Sequence, residues 1–105
     1  MLGFLNKLAA KEHIKLMYQN YRAATFLHGF EPELAQIALR QVESLQLIWA
    51  PGKVFPAEVA KSLMNTNRAL RRAYDGRRYM GLKSFDQEFQ PILGWKDYYK
   101  SFDLG

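Results

Sequence analysis

Between Pro56 and Lys83 the chain interleaves apolar and basic residues in a pattern that a helix separates cleanly. At 100° per residue, Val59, Leu63, Leu70 and Tyr74 fall on one stripe, while Lys61, Asn65, Arg68 and Arg72 line the opposite face. Such a helix must bury one side and leave the other in water, so it needs partners within the chain. Asp75-Gly76 ends it and Arg77-Arg78 extends the charge, gathering Arg68, Arg71, Arg72, Arg77, Arg78 and Lys83 within a short span. This is a basic ridge suited to anionic groups.

The rest of the chain offers the neighbours. A first helix is expected from about Phe4 to His28, closed by Gly29 in the left-handed conformation. Ala10, Ile14, Met17, Tyr21, Ala24 and His28 form one stripe on it, and Leu5, Ala9, Leu16, Ala23 and Leu27 a second, about 120° away by the helical period. Two stripes imply two neighbours. Lys11, Lys15, Gln19 and Arg22 lie on the wet side, a second basic edge that merges with the ridge if these two helices pack side by side. The next helix starts at Glu31-Pro32-Glu33, where proline suits the first helical position and carboxylates oppose the dipole. Leu34, Ala38, Val42, Leu45 and Trp49, flanked by Ile37 and Ile48, make it broadly apolar, so it is expected to be the most buried of the set. Ala50-Pro51-Gly52 turns the chain, and Phe55-Pro56 opens the basic helix.

From residue 77 onward the texture changes and aromatic residues crowd. Ser84 can cap a short helix through Phe85 and Phe89, stopped by Pro91; Trp95, Tyr98, Tyr99 and Phe102 follow, as another helical turn or two or as an extended tail. The expected fold is therefore an all-α, single-domain helical bundle: main helices at about 4–28, 32–49 and 56–75, and a short helical, aromatic-rich C-terminal segment. With 105 residues, of which 49% are hydrophobic, one core is affordable and two are not. Residues 77–105 then serve as a packing or partner-docking extension.

Function classes narrow by what is missing. No cysteine is present, which removes disulfides, thiolate nucleophiles and cysteine-ligated metals. No GxSxG elbow, GxGxxG turn, Walker loop or HExxH pair occurs, and Glu31/Glu33 and Asp86/Glu88 are too close along a helix to face one another. His13 and His28, fifteen residues apart, lie about four turns from each other on one helix and cannot share a metal. No catalytic residue, cofactor or metal is expected. No apolar run approaches the roughly 20 residues of a membrane-spanning helix, and the expected setting is soluble and intracellular, most simply the cytoplasm. The N-terminal stretch is short of acids like an organellar transit segment, but it lacks serine and its pattern continues unbroken into the following turns. Tyr21-Arg22 matches two residues of the Leu-Tyr-Arg motif of small helical mitochondrial assembly proteins. Asn20 stands where that motif has leucine, so no family is assigned.

The net charge of +5 turns attention to anionic partners. The candidate partner- or phosphate-binding residues are Lys61, Arg68, Arg71, Arg72, Arg77, Arg78, Tyr79 and Lys83; Trp95, Tyr98, Tyr99 and Phe102 are candidates for aromatic docking. Each has a plainer reading. The arginines can be a solvated face with an Arg71–Asp75 pair along the helix, the aromatics can cover the core, and Asn67, beside the apolar stripe, can satisfy a hydrogen bond between helices. The leading expectation is a non-enzymatic interaction module, an adaptor, inhibitor or accessory subunit docking on an acidic or phosphate-bearing partner. An acidic protein comes first and nucleic acid is the alternative, with the same arginines on phosphates and Tyr79 stacking on a base. The apolar faces of the first two helices also suit a homodimer.

Overall fold

The computed structural model describes residues 2–48 and 55–90, with side chains from residue 12. All regular structure in this range is helical: α1 (Leu2–Leu27), α2 (Pro32–Ile48), α3 (Ala57–Asp75), a single 3-10 turn (Arg78–Met80) and α4 (Phe85–Glu88). The all-α bundle read from the periodicity is what forms, with each described boundary within two residues of its expected place. None of these helices is long and apolar enough to cross a membrane. Trp95, Tyr98, Tyr99 and Phe102 lie outside the described residues.

The helix ends follow local chemistry. Pro32 takes the first position of α2, with Glu33 in its first turn. Pro56 precedes α3, and its carbonyl accepts from the Val59 and Ala60 amides at 3.0 Å. Ser84 caps α4 reciprocally: its hydroxyl accepts from the Gln87 amide while the Gln87 side chain accepts from the Ser84 amide. Gly29 departs from expectation. The Leu27 carbonyl receives both the Phe30 and Glu31 amides, at 2.9 and 2.7 Å, so α1 closes without a left-handed residue. The one positive φ among the described residues is at Gly81 (81°), which ends the 3-10 turn and lets the chain swing back toward α3.

Helix α1 is central, packing against both α2 and α3, which touch each other far less. Two neighbours are what its two stripes call for, although Tyr21 and His28 of the first stripe are exposed. Helix α2 is the correction: Ala35, Ala38, Val42 and Leu45 are buried, but Ile37, Leu47 and Ile48 are 60% exposed or more, so it covers one side of α1 and is not the most buried helix. Tyr21 is likewise on the surface, and the fully buried position next to it is Asn20.

Two apolar clusters result. One joins Ala23, Ala24, Leu27, Ala35, Ala38, Leu70 and Tyr74 to Phe85 and Phe89 of the α4 segment. Its rings meet edge to face, Tyr74–Phe89 at 5.2 Å and Phe85–Phe89 at 5.0 Å between centroids. The Tyr74 hydroxyl donates to the Lys83 carbonyl at 2.6 Å, which satisfies its only polar atom inside the core. Burial first, then the Glu88 carboxylate, push this phenol above its usual range. The second cluster holds Ile14, Met17, Val42, Leu45, Phe55 and Leu63. Each large side chain so buried contributes roughly 1.5–3 kcal/mol before conformational entropy is counted.

Candidate docking site

Between the two apolar clusters lies a polar layer. Asn67 of α3, 6% exposed, donates through Nδ2 to Gln19 Oε1 at 2.9 Å and to Asn20 Oδ1 at 2.6 Å, both on α1. Asn20 Nδ2 returns a bond to the Leu63 carbonyl at 3.1 Å, and Gln19 Nε2 donates to the Phe89 carbonyl at 3.2 Å. Asn67 Oδ1 accepts from Arg71 Nε at 2.8 Å. The Arg71 guanidinium then forks onto Asp86 at 3.0 and 2.7 Å and lies over the Phe85 ring at 4.5 Å. This amide ladder ties α1, α3 and α4 together, so Asn67 makes the bond between helices anticipated for it. Gln19, read as solvated, is 6% exposed, and Asn20 is fully buried. The available signal was a shared interruption: the apolar rows of α1 and α3 both break for an amide, at Gln19-Asn20 and at Asn67.

The ladder sorts the candidate cations. Arg71 does not pair with Asp75 along its own helix; its charge is met by Asp86, fifteen residues on. The hydrogen bonds from Arg71 hold the Asp86 carboxyl below the usual carboxylate range, with desolvation acting against them. Arg77 donates to the Ala73 carbonyl at 3.0 Å and to Glu31 at 3.1 Å, and sits 5.4 Å from the centre of the Phe30 ring. It therefore clips the α1–α2 turn to the end of α3. Lys61, Arg68, Arg72, Arg78 and Lys83 are exposed, and none has a hydrogen-bond or ion-pair partner among the described residues. Tyr79, 85% exposed, stands beside Arg78 on the 3-10 turn.

Lys15 and Gln19 of the α1 edge and Arg68 of the α3 ridge line one groove between the two helices. It has a volume of about 730 Å³ and is lined by Glu12, His13, Lys15, Leu16 and Gln19 from α1 and by Ala60, Met64, Asn67, Arg68 and Arg71 from α3. Lys15 is within 3.5 Å of Glu12. His13 stacks on Phe55 at 5.5 Å with its Nδ1 buried and without a hydrogen-bond partner. Burial holds this imidazole below its ordinary pKa, against the nearby Glu12 charge. Among the described residues no three His, Asp or Glu side chains converge as metal ligands would. In comparisons with protein families, curated proteins and solved structures, the chain matches none.

Proposed function

We propose that this chain is a non-enzymatic interaction module that docks on an acidic protein through the outer face of α3. The observation that supports the reading is the state of Lys61, Arg68 and Arg72: all three are exposed and none is neutralised by a described residue, while neighbouring Arg71 and Arg77 are engaged within the chain. Unpaired guanidinium groups on a rigid helix present charge-assisted donors at little entropic cost. The aromatic residues Trp95, Tyr98, Tyr99 and Phe102 are proposed as a second contact. The test is affinity capture with the wild-type chain and with Arg68→Glu/Arg72→Glu. Acidic proteins retained by the first and lost by the second, with the melting temperature unchanged, support docking; identical capture rejects it.

A second reading places nucleic acid on the same face, supported by the exposed Tyr79 beside Arg78. Anisotropy titrations with labelled single- and double-stranded DNA and RNA separate the two. Saturable binding that weakens steeply with salt and vanishes on charge reversal selects nucleic acid, and no binding at low salt excludes it. A second copy of the chain is a further candidate, since Ile37, Leu47 and Ile48 leave apolar surface on α2. Sedimentation equilibrium of the wild type tests it.

A further inference from the structure

Building on the docking reading above, we infer that the groove between α1 and α3 is where the partner sits, and that its occupant is an acidic amphipathic helix. It lies along the groove with an apolar side chain on Leu16, Ala60 and Met64 and a carboxylate on Arg68.

Shape carries the first part. Ala60, Met64 and Arg68 follow one another at four-residue steps and form a single row on α3. From Ala60 to Arg71 the α3 wall spans about 16 Å at 1.5 Å per residue, the length of roughly three turns of a bound helix. Ala60 contributes only a methyl group to this wall, so the groove stays open there. Its volume of about 730 Å³ is ample for anchoring side chains.

Chemistry and charge carry the rest. Met64 is 47% exposed, and a flexible thioether adapts to varied apolar partners. Lys15 is met by Glu12 and Arg71 by Asp86, whereas Arg68 on the rim has no described partner. Lys61 and Arg72 continue the positive sign along the outer face of α3. One unpaired cation above an apolar floor fits a peptide that alternates apolar and carboxylate side chains at helical spacing. A phosphate backbone could engage the same outer-face cations but would leave the apolar floor of the groove unused.

The test pans a display library of peptides about 15 residues long against the full chain and maps the best binder by backbone amide chemical shifts. The expected peptides place Leu, Ile or Phe three or four residues from Asp or Glu, with shifts centred on Leu16, Ala60, Met64 and Arg68. Ala60→Phe, which fills the groove without touching a charge, should lower affinity at least about tenfold, and Met64→Gln at least about threefold. If Ala60→Phe does not fold, Met64→Gln decides the matter. Acidic peptides that lose affinity on Arg68→Glu/Arg72→Glu but ignore both groove variants overturn the groove and leave the docking reading standing. Enrichment of peptides without carboxylates, or no enrichment, overturns the acidic helix as occupant and leaves the docking reading to the capture experiment above. A labelled RNA hairpin that binds more tightly than every selected peptide overturns the occupant in favour of nucleic acid.

Discussion

Arg68 and Arg71 are three residues apart on one helix, yet they belong to different parts of the molecule. Arg71 lies against the Phe85 ring, bonds Asn67 and forks onto Asp86; Arg68 stands at the rim of a groove without a described partner. Arg72 and Arg77 repeat the contrast, the first exposed and the second held by Glu31 and two carbonyls. Charge density along the chain is therefore a poor measure of charge offered to a partner. A 100° step is enough to move a guanidinium from the seam between helices to open water.

Substitutions can break this comparison, and their expected effects descend in size. Leu63→Ala, at a fully buried position below the ladder, should cost about 2–5 kcal/mol in urea denaturation; an unchanged midpoint would show that α3 does not pack as described. Asn67→Ala should cost about 1–3 kcal/mol, because it strips the partner from Gln19 Oε1, Asn20 Oδ1 and Arg71 Nε together. Arg71→Ala should cost only about 1 kcal/mol, since its pair with Asp86 is largely exposed and screened. Arg68→Ala and Arg72→Ala should stay within about 0.5 kcal/mol of wild type. Equal losses for Arg68 and Arg71 would erase the distinction between ridge and ladder.

Acidity sharpens it further. The folded state depresses the pKa of His13 below 6.5, so the unfolded chain takes up that proton first and stability should begin to fall as pH drops below about 6.5. Asp86 is depressed below 3.8, so its contribution is complete above that value and is lost as pH falls through it toward the lower folded pKa. Urea midpoints between neutral pH and pH 3 should thus decline in two stages. His13→Phe should flatten the first and Asp86→Asn the second. A curve indifferent to Asp86→Asn would mean that the fork from Arg71 does not distinguish the folded chain from the unfolded one.

The elements were legible because their signals are local. Proline at positions 32 and 56 and the Ser84 cap act within one turn, and α2, α3 and α4 start accordingly. What escaped depends on partners distant in sequence. Gln19 falls toward the wet side on a helical wheel, and Asn20 is an amide set between two apolar stripes; the reason for their burial follows only once Asn67, more than forty residues away, faces them. The engagement of Arg71 likewise needs Asp86 from another element. Helix α2 misled for a related reason: apolar composition all round promises burial, but with α1 taking the centre, Ile37, Leu47 and Ile48 are left outside. The groove combines both cases, with lining residues from two helices whose adjacency no single stretch announces.

The polar layer also acts as an alignment key. In a bundle held only by alkyl and aromatic side chains, α3 could slide along α1 by a turn and still find apolar company. With Asn67 engaged by Gln19 and Asn20, a slip of one turn, about 5.4 Å, would carry all three amides into aliphatic surroundings with their donors and acceptors empty. Three uncharged side chains thereby convert a tolerant apolar seam into one with a single permitted register. At that setting Leu16 and Met64 line the same groove.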